Sequence, residues 1–298
     1  MGYGSYKSSD WSKLKESSKI SATSTASQMF VNRKMEERFN PRFVDMRLSM
    51  DSEEHPNSTP VIIGLDVTGS MGYLSEEIAK NGLNETMLKI YSTKPIEDPQ
   101  LMFAAIGDVC DNAPLQVTQF ESDIRIAEQL LALWLEGAGG DGPEDFELIW
   151  YFAAKHTKID SFDKHGKKGF IFTIGDADLH ENLVGEDIKA IFGDDSQTIS
   201  SRELAKMASE KYEVFHIHLI SERGHGIPSR FADVLPGHVA TLGKHAVSCI
   251  PELIISIMQL SNGMKLKDVL AQWSAYAAPL VEAAVTNMKF DSKSGISF

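Results

Sequence analysis

From Pro60 onward, short apolar runs alternate with stretches of helical periodicity, and this alternation limits the possible folds more than any other feature. Runs such as 61–65 and 170–174 are strand-sized and close to continuously apolar. A strand apolar on both faces must be covered on both, which is the pattern of a parallel sheet wrapped by helices. The spacing predicts strands near 61–65, 101–106, 115–120, 169–174, 214–220 and 238–242, with 115–120 alternating like an antiparallel edge. Helices are expected near 74–93, 121–136, 144–157, 199–210 and 248–261. The expected fold class is α/β, a doubly wound, mostly parallel sheet with one antiparallel edge strand. Ligands of such sheets sit outside the carboxyl ends of the strands, so the loops beginning at residues 66, 107, 137 and 175 bear the chemistry.

Composition bounds the function classes. The 298 residues are 42% apolar, enough for a sizeable core, yet no apolar run approaches the roughly 20 residues that cross a bilayer. The first residues have neither the n-region nor the apolar h-region of a secretory signal, which suggests a cytoplasmic protein. Cys110 and Cys249 then read as free thiols rather than a disulfide. The net charge of −13 argues against nucleic acid, whose binding rests on neutralising phosphates. Residues 1–55 are nearly balanced, with nine Lys/Arg against eight Asp/Glu, so the acidity belongs to the remainder.

Three regions follow. Residues 1–57 form a Ser-rich N-terminal arm, expected to be partly flexible, with nine serines before residue 29 and Tyr3, Tyr6, Trp11, Met29 and Phe30 as possible anchors. Residues 58–262 carry the α/β pattern, and 263–298 hold a single amphipathic helix near 265–288 and a tail. That helix would pack on the body or present a dimer or partner face.

Directly after the first strand, Asp66-Val67-Thr68-Gly69-Ser70-Met71 places a carboxylate and two hydroxyls on a tight turn entering a helix. Converging oxygens of this kind suit a hard cation such as Mg²⁺, although Ser70 capping an ordinary helix would give the same spelling. Asp-x-Thr-Gly-Ser-Met after an apolar strand resembles the metal-ion-dependent adhesion site (MIDAS) of von Willebrand factor A (vWA) domains. In that family two further loops complete the site. One candidate is Gly139-Gly140-Asp141-Gly142-Pro143-Glu144-Asp145, with Pro143 starting a helix; it resembles the Gly-Gly-Asp-x-Pro-Glu variant of some intracellular and α-kinase-linked vWA domains. The other is Gly175-Asp176-Ala177-Asp178-Leu179-His180, with Asp178 and His180 read as outer or solvated loop residues. Asp108 and Asp111, near the end of the second strand, read as rim residues. The opening segment and the lead-in Glu54-His55-Pro56-Asn57-Ser58-Thr59-Pro60 resemble bacterial and phage-encoded vWA proteins.

The resemblance covers roughly residues 58–262 and implies a metal site of Asp66, Thr68, Ser70, Asp141 and Asp176. Thr68 and Ser70 would ligate Mg²⁺ (or Mn²⁺), Asp66 and Asp176 would orient waters, and Asp141 would stand where the usual threonine does. It implies a non-enzymatic binding module whose metal is completed by a Glu or Asp of a protein partner, an AAA-type ATPase being one such partner. Two alternatives stay open. Asp66 also resembles the nucleophile of haloacid-dehalogenase-like Mg²⁺-dependent phosphotransferases, which would need a well-placed lysine; Lys167 and Lys168 precede a strand instead of following one. A structural component with a degenerate metal site is the other. Gly64 to Gly69 has P-loop glycine spacing, but Ser70 stands where the lysine belongs. His216 and His218 read as core histidines rather than a zinc pair.

Overall fold

The continuous apolar runs are buried in a six-stranded sheet whose strands are β1 Thr59–Asp66, β2 Pro99–Ile106, β3 Leu115–Val117, β4 Gly169–Gly175, β5 Tyr212–Ile220 and β6 Val239–Gly243. The computed structural model describes residues 4–21, 23–78, 82–137, 142–220 and 226–290, without the side chains of residues 70, 75 and 76. The spatial order is β6-β5-β4-β1-β2-β3, with every pairing parallel except β2 with β3. The α/β class and the antiparallel edge are therefore as the sequence predicts. Two small pairs lie outside this sheet, Arg47–Ser49 with Thr157–Ile159 and Asn182–Leu183 with Ile199–Ser200.

Alternate residues of β1 feed opposite cores. Val61, Ile63 and Leu65 join one cluster, while Ile62 joins the other. Among the described residues, the α-helices longer than one turn are α1 Ser8–Ser17, α2 Gly72–Glu77, α3 Leu83–Thr93, α4 Arg125–Leu131, α5 Glu147–Lys155, α6 Gly185–Phe192, α7 Ser201–Ser209, α8 Ser229–Val234, α9 Ile250–Ser261, α10 Leu266–Leu270 and α11 Ala277–Val285. Helices α3, α4, α9 and α11 cover the first face and α5 to α8 the second. Helix α5 is buried from Glu147 through Ala153, because it lies under α7 as well as on the sheet.

The ends differ from a simple arm-and-helix picture. Tyr6, Trp11, Ile20, Met29 and Phe30 are buried in the first core, and Asn32 Nδ2 donates to the Ala132 carbonyl at 2.6 Å. Aromatic side chains offset the ordering cost of a serine-rich segment when a body with open apolar surface is available. Tyr3 lies outside the described residues. The predicted helix near 265–288 is two helices, α10 and α11, because Pro279 cannot donate to a carbonyl one turn back and so sits in the first turn of a new helix. Its apolar side packs on the body: Val269 and Val281 are buried and Trp273 Nε1 donates to Ser256 Oγ at 2.8 Å. The helix expected from Pro143 starts only at Glu147, since Glu144 is drawn into a bridge with Leu179. Cys110 is exposed, Cys249 is buried, and both are free. Among the described residues, no helix is long and apolar enough to cross a membrane.

Candidate metal centre

The sheet order puts a topological switch at β1. The chain leaves β1 toward β2 and β3, then returns to β4 on the other side, so the crossover connections diverge at the carboxyl ends of β1 and β4. Asp66 ends β1, and Asp176 follows β4 directly. Two of the sequence-predicted residues are thus placed at the crevice by topology.

Asp66 is fully buried. Its Oδ1 accepts from the Thr68 backbone N–H at 2.9 Å and from the Thr68 hydroxyl at 2.6 Å, which fixes the turn. Its Oδ2 has no hydrogen-bond partner among the described residues, although the Asp176 backbone N–H acts on the same carboxyl. Burial raises the Asp66 carboxyl to about 6 against the hydrogen bonds from Thr68, and the Asp176 charge adds to the rise. The close approach depends on Gly175: a Cβ there would stand 2.4 Å from Phe146 Cζ and 2.9 Å from Asp66 Oδ2. Gly175→Ala is expected to cost about 1–3 kcal/mol of stability by overpacking, read as a lower denaturant midpoint; an unchanged midpoint would show that the crevice accommodates a methyl group.

The second loop contributes a residue the sequence reading passed over. Glu144, 7% exposed, has its carboxyl within hydrogen-bond reach of the Thr68 side chain, and its Oε2 has no partner among the described residues. Burial, and then the charges of Asp66 and Asp108, push Glu144 to about 8. Its position is set by the Glu144 N–H donating to the Asp178 carbonyl at 2.8 Å. Glu144 belongs to the Gly-Gly-Asp-Gly-Pro-Glu stretch, so the signal was present, but only the bridge to Leu179 shows which carboxylate reaches Thr68. Asp141, which the resemblance assigned, and the side chain of Ser70 lie outside the described residues.

Asp176 is ion-paired with Lys244, the residue after β6, whose Nζ stands 5.7 Å from the Tyr73 ring centroid. Nothing in the local spelling of Lys244 points to this role. Burial and then the Asp176 and Asp66 charges raise the Tyr73 hydroxyl. His218 on β5 also feels Asp176 and Asp178, but burial dominates and lowers it. His216 is a core histidine: it is fully buried, its Nδ1 lies 2.9 Å from the Thr173 hydroxyl, and its ring stacks on Phe231 at 3.6 Å. Asp178 has a structural task, accepting from the Leu179 N–H at 3.0 Å and the Arg230 N–H at 3.3 Å. Lys167 and Lys168 stand at the amino end of β4, pairing with Glu97 and Glu213 away from Asp66.

These groups fit a divalent cation. A buried carboxylate oxygen without a hydrogen-bond partner among the described residues, a second buried carboxylate beside it, a hydroxyl and a third carboxylate held by a displaceable ammonium form a hard-oxygen donor set.

No family model matches the chain, and no curated protein matches it. Solved structures similar to it include the pilus adhesin SpaC from Lactobacillus rhamnosus GG in its open conformation, at 9% identity and TM-score 0.45, over 73% of this chain and 31% of that one. Proximal thread matrix protein 1 from the mussel byssus, with a zinc-occupied MIDAS motif, is similar at 10% identity and TM-score 0.47, over 68% of this chain and 48% of that one. A von Willebrand factor type A from Catenulispora acidiphila is similar at 13% identity and TM-score 0.39, over 68% of this chain and 42% of that one. The chain thus spans less than half the length of each. What those proteins bind is theirs; the α/β fold of this chain rests on its own sheet order.

Proposed function

We propose that this chain is a vWA-type binding module, cytoplasmic and non-enzymatic, that holds Mg²⁺ or Mn²⁺ at the carboxyl ends of β1 and β4 and uses it to bind an acidic residue of another protein. The observation that carries this reading is the Asp66 Oδ2, buried and without a hydrogen-bond partner among the described residues, at the switch point with Glu144 and Asp176 around it. Asp66, Thr68 and Asp176, with Ser70 and Asp141 from the family resemblance and Glu144 from the geometry, would hold the cation. Bound there, a divalent cation supplies a Lewis-acidic point for the partner's Glu or Asp. Thr68 keeps Asp66 oriented through its two hydrogen bonds. Gly175 and Phe146 close the floor of the crevice. An AAA-type ATPase is one partner class this reading admits.

Isothermal titration of Mg²⁺ and Mn²⁺, followed by partner capture with and without chelator, tests the reading. Binding of metal, and capture that chelator abolishes and an Asp or Glu substitution in the partner removes, is the expected result. Release of phosphate from a phosphomonoester, stopped by Asp66→Asn, would overturn it in favour of the phosphotransferase reading.

Lys244 sets the affinity in this scheme. Its ammonium competes for Asp176, so Lys244→Met is expected to raise Mg²⁺ or Mn²⁺ affinity about tenfold by removing a like charge at short range. A variant with unchanged affinity would mean that Asp176 does not serve the cation.

A further inference from the structure

A second group of ligand-type side chains lies beside the first on the same end of the sheet. Asp108 comes from the loop after β2, Asp145 from the segment leading into α5, and His180 from the loop after β4. One ligand atom from each lies within 4.8 Å of the others. Asp108 and Asp145 are buried at 4% and 3% exposure, and the His180 side chain is a quarter exposed, with its Nε2 4.0 Å from Asp145 Oδ1. That separation is too long for a hydrogen bond, and a shift of roughly half an ångström would bring the two atoms to the spacing of neighbouring donors on a tetrahedral ion, each bonded at about 2.0–2.2 Å.

The three loops are tied to one another. Asp145 Oδ2 accepts from the Val109 N–H at 2.7 Å, and Asp108 Oδ1 accepts from the Cys110 N–H at 3.0 Å. Glu144 is bridged to Leu179, and Ser201 Oγ donates to the His180 carbonyl. One more carboxyl lies close by in the chain. Glu147, two residues beyond Asp145, is fully buried, and neither carboxylate oxygen has a hydrogen-bond partner among the described residues. Burial holds the Glu147 carboxyl well above the ordinary carboxylate range. Arg230 donates to the Leu179 carbonyl at 2.9 Å.

We propose that Asp108, Asp145 and His180 form a second metal site, which takes a transition-metal dication, Zn²⁺ before Mg²⁺. The imidazole sets the preference: nitrogen donors suit Zn²⁺, whereas Mg²⁺ takes oxygen donors such as those around Asp66. The site stands independently of the Asp66 centre, and its test separates the two.

Zn²⁺ is titrated into the full chain carrying Asp66→Ala, which disables the first centre, with and without His180→Gln or Asp145→Asn. Zn K-edge X-ray absorption is recorded on each, with folding checked by circular dichroism. The Asp66→Ala protein should retain one Zn²⁺ with an imidazole in its coordination shell. Loss of an outer-shell partner costs about 10–100-fold in metal affinity, so loss of a direct ligand in His180→Gln should cost at least about 100-fold and remove the imidazole signature. Asp145→Asn keeps an oxygen for the Val109 amide and should also weaken Zn²⁺. No Zn²⁺ on folded Asp66→Ala, no imidazole in its spectrum, or unchanged affinity in folded His180→Gln would each overturn the proposal.

Discussion

Replacing Asp66 with Asn is expected to abolish Mg²⁺ and Mn²⁺ binding while making the metal-free protein more stable at pH 8. The two effects have one cause. In the folded chain the Asp66 carboxyl is fully buried, with one oxygen held by Thr68 and the other without a partner among the described residues. Ionised there, it carries a charge that the interior does not solvate, and burial accordingly raises it to about 6. Asn keeps a carbonyl oxygen for the Thr68 N–H and hydroxyl but removes the charge, so stability at pH 8 should rise by on the order of 1–3 kcal/mol. Cation affinity should fall by at least about 100-fold, because the group best able to neutralise the ion is gone. Titration calorimetry reads the first quantity and chelator-containing denaturant unfolding the second. An Asp66→Asn protein less stable than wild type in chelator would mean that the carboxylate already has a partner and that the crevice is not built for a cation.

The second large effect concerns pH. Glu144 is raised from 4.5 to about 8 and Asp66 from 3.8 to about 6, both chiefly by burial. Between the ordinary carboxylate range and these values the folded chain holds protons that the unfolded chain has released. Stability from these groups is therefore complete below about pH 4 and is lost as pH climbs through about 6 and then about 8. In chelator, unfolding free energy should fall by on the order of 5 kcal/mol between pH 5 and pH 8, and Glu144→Gln should remove most of that slope above pH 6. Saturating Mn²⁺ should reverse it, since a cation binds the deprotonated carboxylates and its affinity rises with pH. Denaturant titrations at pH 5, 6.5 and 8 with and without Mn²⁺ measure all three slopes. A metal-free stability that rises across this range would refute the burial of ionisable groups on which the candidate centre rests.

Sequence alone was enough for the sheet and for what a strand end presents, though not for every helix boundary, since the helix expected near 265–288 is two. Near-continuous apolar runs require a sheet covered on both faces, and that requirement yielded the α/β class, the six strands within a few residues and the antiparallel edge at Leu115–Val117. Asp66 and Asp176 were legible for the same reason: each lies within a residue of the end of a buried strand, and the switch-point rule assigns such positions to ligands. The tertiary structure decided what depends on distant segments meeting. Lys244 reaches Asp176 across 68 residues, Glu144 reaches Thr68 through a bridge to Leu179, and Asp108, Asp145 and His180 converge from three loops. The serine-rich beginning looked too polar to order, but burial of Trp11 and Phe30 depends on an apolar surface that exists only once the sheet and its helices have assembled. Backbone periodicity is a property of neighbours in the chain and can be read one residue after another. Charge compensation and burial are properties of neighbours in space, and for these residues only packing determines who the neighbours are.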